Sequence, residues 1–275
     1  MESLVSFDGA ADVFNHLISK LSDATGWIAN HSTPQREAVN TYIKSIQEGP
    51  YDPLTKAALI SNARKIIREY SNQQNIVQFA EDALKPSARP QAVDDTWLAQ
   101  FMDKARHICH EDFQLIWGKI LAEECNNPNS IPKGVLHVLE QMDSEDAVNF
   151  SRICSVSVGY TDNRGSLHTP IILFNREEPF YGITFDALID LQALGLIEID
   201  LSEDDPYVIE ELIPPGEIHY YDETYYLPEG VTSFASGNVI FTRIGESLCK
   251  VITVEKVDGF FQKYCVPLWE SKVIR

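Results

Sequence analysis

Residues 107–112, with the sequence HICHED, carry the densest set of metal-binding atoms in the chain. Zinc accepts imidazole nitrogen, thiolate sulfur and carboxylate oxygen, and this segment offers all three. Its spacing matches no closed zinc site, and no second pair of ligands lies nearby in the sequence. We therefore expect a helix–helix corner without a bound metal or cofactor, whose polar side chains are exposed: His107, Cys109, His110, Glu111 and Asp112.

A second candidate is the stretch FQLIWGKILAEEC, residues 113–125, which brings Trp117, Lys119, Glu123 and Glu124 together in sequence. Its apolar residues recur at steps of three and four, which is typical of one buried helix face. We therefore expect a core helix rather than a catalytic cluster. In this interpretation Gln114, Lys119 and Glu123 lie away from the apolar face.

Gly118 lies in the middle of this predicted helix. Glycine costs about 1 kcal/mol relative to alanine at such a position, so its presence indicates that another helix passes close to the backbone. The structural core that we predict around this helix and the preceding one consists of large apolar side chains: Trp97, Phe101, Phe113, Trp117, Ile120 and Leu121.

The chain has no recognised catalytic motif. It lacks H-E-x-x-H, G-x-S-x-G, G-x-x-x-x-G-K-[ST] and G-x-G-x-x-G. The segment IEIDLSEDD resembles the acidic half of a metal-dependent nuclease site, yet no nearby cation is present to position a phosphate. A serine or cysteine triad with members far apart in sequence stays open. We assign no catalytic residue.

The net charge of −19 is concentrated towards the C-terminus. Residues 177–242 contain fifteen acidic residues and no lysine or arginine. Such a surface repels a phosphate backbone, so binding of nucleic acid through this lobe is not expected. Two interpretations stay open, a solvated acidic face and a docking surface for a basic protein. The partner-binding residues expected for the second are Glu203, Asp204, Asp205, Glu210 and Glu211.

The elements that must position these residues are mainly helical in the first half of the chain. Helical patterns cover residues 10–30 and 54–84, and the linker KPSARPQAV at 85–93 predicts a boundary near residue 90. We expect three segments: an N-terminal helical region over 1–90, a four-helix bundle over 91–157 and an acidic α+β domain over 158–275.

Beyond Gly159 the pattern changes to short strands between helices. A helix capped by Thr184 precedes a strand at 196–200, and a strand at 239–241 leads into a helix capped by Thr242. That order is typical of winged-helix modules. The expected fold class is therefore mainly α with a C-terminal α+β lobe, a helical bundle followed by a winged-helix-like domain.

The sequence favours a cytoplasmic location. No run approaches the roughly 20 apolar residues needed to cross a bilayer, and MESLVSFDGAADVF lacks the features of a signal peptide. Five widely spaced cysteines without a C-x-x-C pair are typical of reduced thiols in a cytosolic protein. Association with a membrane is not favoured.

Several stretches carry a family resemblance: WLAQFMDKAR, FQLIWGKILAEE and NNPNSIPKGVLHVLEQMDSEDAVNF, with LQALGLIEI and FTRIGESL downstream. They resemble a family of bacterial domains of unknown function with a Q-x-x-W-x-x-I-L-A-x-E signature. The resemblance covers most of the chain. One departure is Cys109-His110, where relatives tend to have a Ser-Asp cap.

Proteins of this kind are similar to the alpha-type abortive-infection proteins of bacteria, and this similarity implies a role in phage defence. It implies no catalytic residues. We therefore expect a non-enzymatic sensor or adaptor that forms a homo-oligomer. Its partner would be a protein from the same operon or a phage protein. Two alternatives are a hydrolase effector that uses acidic residues of the C-terminal lobe and a winged-helix transcriptional regulator.

Overall fold

The computed structural model describes residues 5–29, 35–173, 180–200, 207–210, 212 and 216–271. The chain forms two compact units, Met1–Leu136 and His137–Arg275. The first unit is helical and the second combines helices with short antiparallel strands, as the sequence predicts. Within the described ranges, no helix has the length and apolar character that crossing a membrane requires.

The first unit is built from long helices joined by short connections. Asp52 caps one helix by accepting from the backbone N–H groups of Leu54 and Thr55 at 3.0 and 3.1 Å. Asp94 caps another by accepting from the N–H of Trp97 at 2.9 Å. The helices are α1 (Val5–Thr25), α2 (Gln35–Glu48), α3 (Pro53–Glu81), α4 (Asp95–Ala105) and α5 (Glu111–Asn126), with a 3₁₀ turn at Pro90–Ala92.

The main packing contact of this unit is the crossing of α3 and α5 at Gly118. A β-carbon at Gly118 would lie 2.6 Å from Cβ of Phe79 and 2.9 Å from the carbonyl oxygen of Ile76. Both distances are shorter than van der Waals contact, so only glycine permits this approach. The sequence prediction that another helix passes close to Gly118 is confirmed.

Large aromatic residues of α4 and α5 fill the space beside this crossing. The rings of Trp97 and Phe101 stack with centroids 5.2 Å apart, and Phe101 contacts Trp117 at the same distance. The indole N–H of Trp97 donates to the carbonyl of Ile131 at 3.0 Å. Of the six residues expected in the core, Phe113 is only half-buried. The other five are buried, namely Trp97, Phe101, Trp117, Ile120 and Leu121.

The division into units differs from the three segments expected from the linker. The backbone N–H of Lys85 donates to Oδ1 of Asn126 at 2.9 Å, and that of Arg89 donates to the carbonyl of Cys125 at 2.7 Å. These bonds join the linker to the end of α5, while α1 packs on α4 and α3 packs on α5. The prolines therefore end a helix here without separating two compact bodies.

The second unit has helices α7 (Ser144–Ser155), α8 (Phe185–Ala193), α9 (Arg243–Cys249) and α10 (Val266–Ser271), with a π-helical segment at Phe260–Cys265. Helix α6 (Lys133–Gln141) includes the division between the units. α7 packs on α8, so the four predicted helices of 91–157 form but do not make up one separate bundle.

The strands of this unit are short and pair antiparallel. They are β1 (Gly159–Thr161), β2 (Leu167–His168), β3 (Ile197–Ile199), β4 (Tyr207–Ile209), β5 (Glu217–Tyr220), β6 (Glu223–Tyr226), β7 (Phe234–Gly237) and β8 (Val239–Phe241). One sheet has the order β2-β1-β5-β6, and two further pairs are β3–β8 and β4–β7.

The turn from β8 into α9 holds that helix against the start of β3. The hydroxyl of Thr242 accepts from the N–H of Gly245 at 3.1 Å and donates to the carbonyl of Gly195 at 2.6 Å. Gly245 lies so close to the carbonyl oxygen of Leu196 that a β-carbon would overlap it. The predicted caps at Thr184 and Thr242 are both confirmed.

We predict that Gly118→Ala lowers the free energy of unfolding of the first unit by about 1–3 kcal/mol, because the added methyl group collides with α3. On an exposed helix the same change would stabilise by about 1 kcal/mol, so the sign is diagnostic. Urea unfolding followed by tryptophan fluorescence measures it, since Trp27, Trp97 and Trp117 lie in this unit. Leu115→Ala, at a 40 % exposed side chain of α5, is the control. Unchanged or increased stability of Gly118→Ala would contradict the crossing.

Candidate functional site

The corner between α4 and α5 exposes its potential metal ligands individually. His107, Cys109 and His110 are all exposed, and Nε of Arg106 donates to Nε2 of His107 at 3.1 Å. α5 begins after His110, whose side chain makes no cap hydrogen bond. Within the described part of the chain, no three His, Cys, Asp or Glu side chains are arranged to hold a metal ion. The corner therefore offers polar atoms to solvent rather than to one centre.

Behind this corner, Gln114 is buried, and the expectation that it lies away from the core is wrong. Its amide donates to the carbonyl of Ile108 at 2.8 Å and to Oδ1 of Asn72 at 3.2 Å, and it accepts from Nδ2 of Asn75 at 3.2 Å. Asn72 in turn donates to the carbonyl of Arg106 at 2.8 Å. Because these bonds satisfy the amide, α5 can turn Gln114 towards α3, where it holds the corner in place.

The contacts of Glu124 show whether the stretch FQLIWGKILAEEC holds a catalytic cluster or a core helix. Its side chain is buried, and it accepts from the backbone N–H of Asn129 at 2.6 Å and from that of Ile131 at 2.9 Å. Burial raises the pKa of Glu124, while its hydrogen bonds from the loop lower it. Both carboxylate oxygens are used to hold the loop after α5. Glu124 is therefore a structural residue and not part of a catalytic cluster.

The second unit contains a cluster that sequence reasoning did not identify, centred on His168. Nε2 of His168 lies 3.1 Å from Oδ2 of Asp162, and Nδ1 lies 3.6 Å from Oε1 of Glu246. The imidazole stacks on Tyr160, with ring centroids 5.2 Å apart. Tyr160 and His168 are paired in register between β1 and β2, so the sheet itself sets this stacking.

The turn between β1 and β2 fixes Asp162. Its Oδ1 accepts from the backbone N–H of Arg164 at 2.9 Å and from that of Ser166 at 2.8 Å, which leaves Oδ2 for His168. The hydrogen bond from Ser166, then that from His168, lowers the pKa of Asp162. Glu246 comes from the first turn of α9 and pairs with Lys250 at 2.9 Å. Three elements thus converge on one imidazole.

Tyr160, His168 and Glu246 line an open groove of about 210 Å³. Both nitrogens of His168 face carboxylates, so neither faces the hydroxyl or thiol that a hydrolytic triad requires. Burial, followed by the charges of Asp162 and Glu246, raises the pKa of Tyr160, which keeps its hydroxyl protonated. The groove combines the carboxylate of Glu246 with an apolar wall. Its lining is Tyr160, His168, Thr169, Pro170, Ile209, Ile240, Phe241 and Glu246.

The expected acidic partner-binding residues are only partly described. Glu210 follows β4 and is exposed. The other four, Glu203, Asp204, Asp205 and Glu211, lie outside the described residues. A further acidic face is present on α8, which exposes two carboxylates beside two large apolar side chains: Phe185, Asp186, Ile189 and Asp190.

The fold and its clusters define a class of protein with one helical unit and one acidic α+β unit. The chain belongs to the family described as "Protein of unknown function (DUF2806)", whose model matches residues 61–265. The match includes α5 with its Gly118 crossing, the His168 cluster and α9. Neither the curated proteins nor the solved structures contain a significant match to the chain. The expectation of a family of unknown function is confirmed.

Two features of the sequence could have indicated the buried Glu124 and the turn at Asp162, which the sequence analysis did not identify. Only Cys125 separates the pair Glu123-Glu124 from NNPNS, a segment whose N–H groups need acceptors, and a buried carboxylate is one way to supply them. Asp162 stands at the start of D-N-R-G-S, a pattern typical of a tight turn whose Asp accepts from the backbone. No local signal joins His168 to Glu246, because the fold alone brings them together.

We predict that Glu124→Gln destabilises the first unit by about 1–3 kcal/mol, because one oxygen that accepts from a backbone N–H becomes an NH₂ donor. Glu123→Gln is the matched control, since Oε1 of Glu123 accepts only a side-chain bond in the described structure, from Asn127 at 2.7 Å. Thermal unfolding of both variants measures the difference. Equal, small shifts would mean that Glu124 does not hold the loop.

The lowered pKa of Asp162 predicts a pH dependence. Its folded pKa lies below the ordinary 3.8, so its contribution to stability is present above that value and is lost as the pH falls through the folded pKa. The difference in free energy of unfolding between wild type and Asp162→Asn should therefore shrink as the pH falls below about 4. Urea unfolding at several pH values measures it, with Asp190→Asn as control. A difference independent of pH would contradict the assignment.

Proposed function

We propose that this protein is a non-enzymatic binding protein whose acidic C-terminal unit engages a basic protein partner as part of a cytoplasmic bacterial defence against phages. The observation that carries the binding role is the absence of lysine and arginine from residues 177–242, against fifteen acidic residues. A negative surface of this kind attracts basic partners and repels nucleic acid. The defence role rests on the resemblance to abortive-infection proteins.

The surface proposed for the partner includes α8. Phe185 is 39 % exposed and Ile189 is 40 % exposed, and they lie one helical turn apart. Asp186 and Asp190 lie beside them at the same spacing and are exposed as well. A face that combines apolar contact area with negative charge suits an amphipathic basic helix of a partner. The described part of the proposed acidic surface is α8 and the exposed Glu210, while the expected residues 203–205 and 211 lie outside the described residues.

The proposed architecture of this region is winged-helix-like. α7 packs on α8, α8 packs on β3, and β3 pairs with β8, which leads directly into α9. In this interpretation α8 takes the place of the helix that would enter a DNA groove, and the strand pair β4–β7, which lies between β3 and β8 in the sequence, takes the place of the wing. Aspartates stand on α8 where a DNA-binding module would carry lysine or arginine. The module is thus proposed to contact protein instead of DNA.

The two alternative functions have less support. A hydrolase effector would need a nucleophile or a metal centre, and both nitrogens of His168 face carboxylates rather than a hydroxyl or thiol. A transcriptional regulator would need positive charge on the second unit, which carries eight basic and twenty acidic residues over 158–275. Charge and geometry therefore favour protein binding.

Within a defence response, we propose that the partner is encoded in the same operon or is a phage protein, and that the chain assembles as a homo-oligomer. A sensor or adaptor of this kind acts by joining components, so it needs surfaces rather than a catalytic centre. An acidic surface increases the association rate with a basic partner and makes the affinity sensitive to salt.

The binding role is tested with the full-length protein and a helical peptide of lysine and leucine as probe. We expect the peptide to bind with an affinity that falls as salt is raised, measured by fluorescence anisotropy. The variant Asp186→Lys with Asp190→Lys should weaken binding at least tenfold, because it reverses the charge of the α8 face. Duplex DNA should not bind even at low salt, where phosphate contacts are strongest.

The matched control is Glu81→Lys with Asp82→Lys, which makes the same change of total charge at exposed residues of the first unit. It should bind the peptide almost as well as wild type. If both double variants lose affinity equally, the attraction is a property of total charge and the α8 face is not the docking surface. Salt-sensitive binding of DNA by the wild-type protein would support the regulator instead.

A further inference from the structure

The lining of the groove beside His168 combines a few polar side chains with an apolar surface. The apolar surface consists of four half-buried residues: Pro170, Ile209, Ile240 and Phe241. Small-molecule sites typically have this composition, because apolar residues supply contact area and a few polar groups orient the ligand. The groove volume of about 210 Å³ equals that of roughly seven water molecules in the liquid. It therefore suits a small molecule or a single side chain.

Glu246 supplies a negative charge to the groove. Its Oε1 is buried and lies 2.9 Å from Nζ of Lys250 and 3.6 Å from Nδ1 of His168. Neither contact has hydrogen-bond geometry, so this oxygen accepts no hydrogen bond in the described structure. The side chain as a whole is 28 % exposed, so a ligand would reach the carboxylate at Oε2. Lys250 is a partly exposed partner one helical turn away, and such ion pairs are weak.

Thr169 adds an unpaired hydroxyl to the same lining. Its Oγ1 is buried and has no hydrogen-bond partner in the described part of the chain. Buried polar atoms without a partner are uncommon in folded proteins, and each one requires an explanation. A donor group of a bound molecule is the explanation that the place of Thr169 in the groove allows. A carboxylate only accepts and a hydroxyl can accept, so a ligand with several N–H bonds suits both Glu246 and Thr169.

The surroundings of the groove favour a cation as that donor. Nε2 of His168 lies 3.1 Å from Oδ2 of Asp162 and Nδ1 faces Glu246, so the imidazole is engaged by carboxylates on both sides and is not left to bind an anion. Residues 158–275 carry twenty acidic and eight basic residues, and this surplus attracts small cations. An ammonium group is compact and has three N–H donors. It therefore matches both the charge and the hydrogen-bonding groups of the groove.

We propose that the groove binds the ammonium group of a primary amine, whose apolar stem lies on Pro170, Ile240 and Phe241. The ammonium contacts Oε2 of Glu246, and one of its N–H bonds is directed at Oγ1 of Thr169. Two sources share this chemistry, a free alkylamine and a lysine side chain of a protein. The described lining includes no residue of α8, so the site does not depend on the proposed docking of a protein at that helix.

The test titrates the full-length protein with phenylethylamine and measures binding by isothermal titration calorimetry. We expect saturable binding at one site with a dissociation constant of about 1 mM, which is ordinary for a ligand of so few atoms. Phenylethanol, which has a neutral hydroxyl in place of the ammonium, should bind about tenfold more weakly. Phenylpropanoate, which carries a negative charge at that position, should not bind.

A capped lysine, N-acetyl-lysine methylamide, presents the same ammonium from a peptide backbone. Higher affinity for phenylethylamine would assign a free amine as the ligand, and higher affinity for the capped lysine would assign a lysine side chain of a protein. Both results support an ammonium site. Absence of saturable binding of both amines, or equal affinity for phenylethanol, would overturn the proposal.

Glu246→Gln should weaken amine binding about tenfold, because it removes the negative charge and keeps the size of the side chain. Glu255→Gln is the matched control, since it makes the same change at an exposed residue of the same unit. The control should bind the amine like the wild-type protein. An equal loss of affinity in the two variants would mean that total charge attracts the amine, and this result would overturn the site.

Thr169→Val tests the unpaired hydroxyl. Valine has nearly the shape of threonine, so the free variant should be at least as stable as wild type, while amine binding weakens about fivefold. Unchanged binding would contradict the contact with Oγ1.

If Glu246→Gln fails to fold, NMR of the wild-type protein tests the location of the site. The chemical-shift changes caused by the amine should be largest at Thr169, Ile240 and Phe241. Largest changes at residues outside the groove would overturn the assignment.

Discussion

The close approach of α3 and α5 at Gly118 is the contact on which the first unit depends. It places the backbone of α5 against Ile76 and Phe79 of α3. This position also sets which residues the two ends of α5 contact. Near its start, Gln114 bonds with α3 and holds the corner at residues 107–112. Near its end, Glu124 holds the following loop. The contacts of Gln114 and Glu124 therefore follow from one packing constraint, and neither residue needs a catalytic explanation.

The second unit has a similarly close backbone approach at a glycine, in the turn into α9. Thr242 caps the helix, and Gly245 allows the carbonyl of Leu196 to approach its backbone. That fixed position places Glu246 beside His168. A short motif whose immediate role is structural thus positions one side of the groove. The acidic face of α8 lies on the helix that precedes β3, the partner strand of β8.

Sequence patterns predicted what depends on local spacing. The helix caps at Thr184 and Thr242, the strands that became β3 and β8 and the close helix at Gly118 all follow from neighbouring residues or helical period. The sequence patterns did not predict the features that depend on tertiary contacts. Gln114 is buried because α3 supplies bonding partners, and the linker joins the end of α5 instead of separating domains. His168 and Glu246 meet only in the folded chain, so periodicity and motif spacing could not join them.

The central claim is that the chain acts in defence through a protein-binding acidic surface and without catalysis. The most direct test is the plating efficiency of a phage panel on bacteria that carry the gene in its natural operon. The account predicts that wild type and the control variant Glu81→Lys with Asp82→Lys lower plating of the same phages, while Asp186→Lys with Asp190→Lys gives the plating of cells without the gene. Full protection by the α8 variant, expressed at the same level, would contradict the account.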